Sequence, residues 1–270
     1  MKAASNRRSA VAGSFYSADP GVLLREVRFW LSEAARPPAP AFGVMVPHAG
    51  YAYSGSICGH ALASVEVGPR VLILHTKHQA GGGLLSLADY ATWETPLGNV
   101  NCDARLTEAL AGVHGVTCSN AAHSRDHAAE VVLPFLQVLR PDVKIAVISV
   151  GRFDDEDLPR LGSAFANAVK SCGGALIIAS SDMNHYESHL QTLEKDEHAL
   201  AHLAAFDAPG LLKTCEHEDI SMCGAYATAL MLETTRALGA SRVEILEHTT
   251  SGPTSGDYEQ VVGYASARVS

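Results

Sequence analysis

Six apolar runs punctuate the chain: FGVMVP (42–47), RVLILH (70–75), VKIAVISV (143–150), ALIIAS (175–180), RVEILEH (242–248) and QVVGYASARV (260–269). The middle runs lack the polar alternation of a half-exposed sheet, which predicts strands covered on both faces. Between them, apolar residues recur at helical spacing. PGVLLREVRFWLSEAA (20–35) follows Asp19 and places Leu23, Val27, Trp30 and Leu31 on one stripe. AEVVLPFLQVLR (129–140), EDLPRLGSAFANAVK (156–170) and HLQTLEKDEHALAHLAAF (189–206) behave likewise, and GAYATALMLETTRALGA (224–240) stops at Gly239. Strands alternating with helices predict an α/β fold, a mostly parallel central sheet flanked by helices. The Pro-rich stretch RPPAPAF (36–42) is too short to divide the chain, so residues 1–270 read as one domain.

Composition narrows the function classes. With 20 Lys and Arg against 29 Asp and Glu, the formal charge is -9. That balance argues against nucleic acid or an anionic membrane as partner, because both demand a basic face. No apolar run approaches the roughly 18 residues of a membrane span, and the N-terminal stretch lacks the apolar centre of a signal peptide. The six cysteines contain no C-x-x-C pair and are scattered, which favours free thiols and a cytoplasmic location.

Thirteen histidines are many for this length, and three of them fall where apolar runs end. FGVMVP leads into His48, RVLILH into His75-Thr76-Lys77-His78, and ALIIAS into Ser181-Asp182-Met183-Asn184-His185. In open α/β sheets ligands bind beyond the carboxyl ends of the strands. Three strands each delivering a histidine to one edge suit a metal site or an acid–base site. The plainer reading is that each histidine caps its strand and bonds a nearby carbonyl. Cys223, in DISMCGAYATAL, sits where a helix starts, with Asp219 or Ser221 as the expected N-cap. There the helix dipole favours thiolate, the metal-binding form. The alternative is a small buried residue beside a glycine.

Other pairs are less specific. His123/His127, His185/His189 and His198/His202 are spaced i,i+4, but HALAH (198–202) lacks the internal Glu of an H-E-x-x-H site and reads as a solvated face. Asp126, His127 and Glu130 open a helical pattern and suit a buttress beneath a site. TWETPLGNVNCD (92–103) reads as a strand, a turn and a helix start at Asp103. HQAGGGLLS (78–86) reads as a flexible loop near the site; no Lys-Ser/Thr follows its glycines, so it is not a P-loop, and no G-x-S-x-G is present.

Taken in order, AVAGSFYSADP, VPHAGYAYSG, the histidine of HTKH, TPLG, DHAAEVVLPFLQ, SSDMNHY, CGAY and VVGYAS resemble the Memo family over about residues 8 to 268. That family is similar in fold to class III extradiol ring-cleaving dioxygenases. The resemblance implies metal ligands at His48, His78 and Cys223, with Asp182 and His185 beside them. His185 matches the proton-handling position of the dioxygenases, and Cys223 stands where they carry a carboxylate. Tyr51 and Tyr53 are expected to line the adjacent pocket. The chain departs from the family pattern at His75-Thr76-Lys77, where Gly-Pro is usual, at Asp126-His127-Ala128 for Glu-His-Ser, and at Pro253. His75 and Lys77 are therefore expected beside the substrate, with Lys77 suiting an anionic one.

These readings predict a non-haem oxidoreductase, with Fe(II) foremost and Zn or Cu as the alternatives. It would use O₂ and a small phenolic substrate, with His185 and Asp182 in catalysis. A homo-oligomer is compatible with the sequence. The competing readings are a metal- or peptide-binding adaptor without turnover, a role the family resemblance also carries, and a metal-dependent hydrolase, which a soft cysteine ligand favours through Zn.

Overall fold

Each of the six apolar runs forms a strand in the computed structural model, which describes residues 5–270. In chain order the elements are β1 (Asn6–Arg7), α1 (Pro20–Ser32), β2 (Gly43–Val46), α2 (Tyr51–Ala63), β3 (Arg70–Thr76), β4 (Leu85–Leu87) and β5 (Thr92–Thr95). Next come β6 (Gly98–Cys102), α3 (Ala104–Ala111), β7 (Val116–Cys118), α4 (Leu133–Leu139), β8 (Lys144–Val150), α5 (Leu158–Ser171), β9 (Leu176–Ser180) and β10 (His185–Glu187). The chain closes with α6 (His189–Ala204), α7 (Ala208–His217), α8 (Ala225–Leu238), β11 (Val243–Thr250), α9 (Gly252–Ser255) and β12 (Val261–Val269).

The sheet runs β1-β5-β6-β8-β3-β9-β2-β12-β10, with β11 on β12 and β4 bridging β7 and β8. Its centre, β6-β8-β3-β9-β2, is parallel, while β12 lies antiparallel to β2, β10 and β11. The parallel order brings the carboxyl ends of β2, β3 and β9 to one edge. Alternate residues on these strands enter opposite layers. Met45, Leu72, Leu74, Ile177 and Ala179 meet α3, α5, α6, α7 and α8. Val44, Val46, Val71, Ile73 and Ile178 meet α1, α2 and α4. Continuous hydrophobicity in the central strands follows from this double covering. Among the described residues, no helix is long and apolar enough to cross a membrane.

Helix ends carry local signals. Asp19 and Asp103 accept from the backbone N–H of Val22 and Leu106, and Gly239 closes α8 in the left-handed region. Helix α2 is the element that hydrophobic spacing does not reveal. Its sequence YAYSGSICGHALA is rich in small residues and shows no apolar stripe. They let α1 come close: a Cβ on Gly55 would lie 2.7 Å from the Trp30 ring, and one on Gly59 would lie 2.8 Å from Trp30 Cβ. The turn after β5 also opens a second strand, β6, before Asp103 caps α3.

A buried ion pair fastens the amino-terminal segment to the layer beneath the sheet edge. Arg7 Nη1 donates to Glu130, Nη2 donates to the Asp126 carbonyl at 2.5 Å, and Nε donates to the His123 carbonyl at 2.9 Å. The guanidinium lies 4.4 Å over the Trp93 ring. Glu130 also accepts from Ala10 N, Val11 N and the Tyr16 hydroxyl. Arg7→Met strands the Glu130 charge, and losing one partner of a buried pair costs about 3–5 kcal/mol. The denaturant midpoint is expected to fall accordingly; a loss below about 1 kcal/mol, the scale of a surface pair, would show that this pair does not hold the segment.

Candidate metal centre and its cavity

At the carboxyl edge of the parallel strands, a cavity of about 720 Å³ gathers His48, His78, His127, Asp182, His185 and Cys223. His48 follows β2 directly, in the turn into α2. Its Nδ1 lies 2.8 Å from Ser180 Oγ, while the Ser180 hydroxyl donates its own proton to the Ala128 carbonyl at 2.7 Å. Ser180 must therefore accept from His48 Nδ1–H, which leaves the lone pair on Nε2. That nitrogen is 3.3 Å from Cys223 Sγ.

One donor atom each from His48, His78 and Cys223 lies within 4.8 Å of the others. Bonds of about 2.0 Å to nitrogen and 2.3 Å to sulfur place tetrahedral donors roughly 3.5 Å apart, so the set fits one ion with small adjustment. Asp126 supports His78 from behind. Its carboxylate lies 3.4 Å from His78 Nδ1 and accepts from the His78 backbone N–H at 3.3 Å. Such a carboxylate fixes the tautomer of a ligating imidazole. Asp126 also accepts from Ala128 N, and its pKa is held well below the usual range because neighbouring His75 and His78 outweigh the effect of its burial.

Cys223 precedes Gly224, the cap residue of α8, which makes no side-chain cap bond. The expected caps are elsewhere: the Ser221 hydroxyl donates to Asn184 Oδ1, and Asp219 occupies a left-handed turn. Gly224 is required by close approach, since a Cβ there would lie 2.5 Å from Ser181 Cβ. Burial pushes the Cys223 thiol well up, so the expected thiolate preference of the helix start is overruled by desolvation, although Asp182 N donates to the sulfur at 3.3 Å. A cation binding here would have to displace that proton.

His185 stands in a bulge of β10. Its backbone N–H donates to Ser221 Oγ at 2.8 Å, and its Nδ1 donates to the Ser221 carbonyl at 3.0 Å. In the neutral imidazole this puts the lone pair on Nε2, and His185 lines the same cavity. The group at its Nδ1 is the backbone carbonyl of Ser221. The Asp182 carboxylate instead accepts from His48 N at 2.7 Å, and burial raises its pKa.

Tyr53 lines the cavity; Tyr51, His75 and Lys77 do not, which corrects the expectation that they meet substrate. The Tyr51 hydroxyl donates to the Val131 carbonyl, and its ring packs on Trp30 and Phe135, because the first turn of α2 rotates it into the core. His75 is a residue of β3 itself and points into the layer beneath. Its Nε2 lies 3.1 Å from His123 Nδ1, and His123 Nε2 donates to the Ser86 carbonyl at 2.9 Å. Lys77 Nζ donates to the carbonyls of Gly82 and Gly83, tying down the glycine loop instead of facing a ligand.

Several cavity residues were not singled out as site residues by the sequence. His127 stacks on His78 at 4.7 Å and meets His48 edge-on at 5.3 Å. Phe15, Tyr186 and Tyr264 complete aromatic walls. The His127 signal was its place beside Asp126; the aromatic residues come from segments far apart in sequence. His189 bonds Thr250, and His198 and His202 bond Glu218 and Asp207, outside the cavity.

An α/β sheet whose parallel edge brings two histidines and a cysteine within reach of one ion, beside a third histidine, defines a protein with a candidate mononuclear metal site. The chain belongs to the Memo family: residues 7–268 match the Memo-like protein family. It is similar to MEMO1 family proteins of Methanopyrus kandleri (35% identical, covering 96% of this chain and 97% of the relative), Pyrobaculum arsenaticum (36%; 96% and 97%) and Desulfurococcus amylolyticus (35%; 97% and 98%).

Burial holds His127 and His123 uncharged, with pKa values pushed down to about 4 and about 3. The unfolded chain takes up the same protons near pH 6.5. The stability these residues confer is therefore full above that pH and declines as pH falls from about 6.5, through about 4 for His127 and to about 3 for His123. Urea midpoints of chelator-treated protein are expected to drop across this window, and His123→Gln is expected to shallow the drop. An unchanged slope in the variant would assign the loss to other groups.

Proposed function

We propose that the protein is a non-haem, metal-dependent oxidoreductase acting with O₂ on a small phenolic substrate, with a divalent cation, Fe(II) foremost, on His48, His78 and Cys223. The observation that carries this reading is the convergence of three potential donor atoms within 4.8 Å in an aromatic-walled cavity beside His185. A bound ion would supply Lewis acidity and a redox couple. The chain's own groups account for the rest. Ser180 and Asp126 fix the two imidazole ligands. His185, its Nδ1 committed to the Ser221 carbonyl, offers Nε2 as a base toward a substrate hydroxyl and returns the proton later. Aromatic walls exclude water from the ring that reacts.

The Cys223 sulfur favours a second reading. Soft thiolate suits Zn or Cu(I) better than O₂ chemistry at iron, which points to a hydrolase or a binder without turnover. Metal analysis of anaerobically purified protein, followed by O₂ uptake with a catechol panel, separates the readings. Iron with catechol-dependent uptake supports the first, whereas zinc or copper without uptake overturns it.

Two substitutions refine the assignment. His48→Ala or Cys223→Ser is expected to remove most bound metal while the far-ultraviolet spectrum stays unchanged; full metal content in both would move the site to His78, Asp126 and His127, whose donor atoms also cluster within 4.8 Å. His185→Ala is expected to lower turnover by roughly 10²–10⁴, the scale of general acid–base catalysis, with metal content preserved. Parallel loss of metal would make His185 a ligand.

A further inference from the structure

We propose that the cavity selects a phenolic or catecholic substrate whose side chain carries an ammonium group, received by the aromatic rim of Tyr53 and Tyr186, and that it turns carboxylate-bearing analogues away. This rests on the reading of the cavity as a substrate site.

The charge inventory of the walls comes first. Among the described residues, the cavity is lined by no lysine or arginine, and Asp182 is its one carboxylate. Of the cations close in sequence to lining residues, Lys77 is committed to the Gly82 and Gly83 carbonyls and Arg7 to Glu130 in the core, while Arg8 and Arg125 are exposed and do not line the cavity. An anionic side chain entering the cavity would shed water without finding a protein counter-charge, and desolvated unpaired charge is strongly disfavoured. A cation, in contrast, meets aromatic faces that can partner it.

The rim supplies what a cation needs. Tyr53 is 43% exposed and Tyr186 is 72% exposed, yet both line the cavity, as do the half-buried Phe15 and the buried Tyr264. Tyr186 adopts φ 63°, a left-handed conformation that costs a side-chain-bearing residue energy. It lies where the pairing of β10 with β12 shifts register between His185 and Glu187. In a regular strand, neighbouring side chains point to opposite faces; the bulge relaxes this rule, and both His185 and Tyr186 face the cavity. Their ring centroids are 5.6 Å apart, so a substrate ring near His185 extends its side chain to the Tyr186 face. Ammonium groups bind aromatic faces by cation–π attraction, most strongly where water is displaced.

The experiment compares three catechols of similar size under anaerobic conditions by calorimetric titration of the metal-loaded protein: aminoethylcatechol, ethylcatechol and dihydroxyphenylpropanoate. Because all three share the diol, its contribution to binding cancels in their ratios. The ammonium compound is expected to bind at least about tenfold more tightly than the carboxylate. Tyr186→Ala is expected to collapse that ratio, and Tyr186→Phe to preserve it, since the ring face and not the hydroxyl is required. A ratio near one, a reversed ratio, absence of binding by all three, or equal behaviour of the two variants overturns the proposal. Oxygen uptake tests the reading beneath it separately. Charge discrimination without uptake leaves the rim standing and removes the oxygen chemistry; uptake with equal affinity for both charges does the reverse.

Discussion

The pairing of Arg7 with Glu130 is the constraint on which the rest of the site depends. Removing two charges from water is costly, and a buried pair is tolerated only when its remaining hydrogen-bonding capacity is also met. Here it is met by the chain itself. Arg7 holds the carbonyls of His123 and Asp126, and Glu130 holds two backbone N–H groups and the Tyr16 hydroxyl. The stretch from His123 to Glu130 contains no strand or long helix, so these contacts give it a shape. That stretch carries Asp126 and His127, one behind His78 and the other stacked on it. His78, at the sheet edge, is thus positioned by an interaction that begins at the amino terminus.

The cavity divides its work between rigid and exposed parts. His48 and Cys223 are anchored to β2, β9 and the start of α8, all packed against the sheet, whereas His78, Tyr53 and Tyr186 sit toward solvent. Binding chemistry placed on strand ends gains precision from the core, and residues at the opening gain freedom to meet ligands.

The sequence disclosed the fold where packing leaves a mark in hydropathy. The six long strands are apolar because the sheet is covered on both sides, and α1, α5 and α8 show their stripes or their caps. It concealed α2, since a helix that approaches its neighbour through Gly55 and Gly59 has no stripe to show. It revealed three strand-end histidines, because strand ends can be read from sequence. Which way a side chain turns is harder to read: Tyr51 and Tyr53 are two residues apart on one helix, and only the latter faces the cavity. His75 falls inside β3 by a single turn of the pleat, and Lys77 bends back to its own loop. The contributions of Arg7, His127 and Tyr186 depend on contacts between distant segments, or on a backbone bulge, neither of which leaves a local pattern.

The Ser180 hydroxyl links His48 to the Ala128 carbonyl, and Ser180 is the last residue of β9, in register with Val46 and His75. Side chains alternate along a strand, so a slip of β9 by one position would present Ala179 or Ser181 with a different outlook. The nitrogen that His48 offers to the cavity is therefore decided by strand alignment. Correct pairing of the parallel strands during folding and readiness of the imidazole lone pair are the same event. A misregistered sheet would turn the His48 lone pair away from the cavity even if its hydrophobic layers closed.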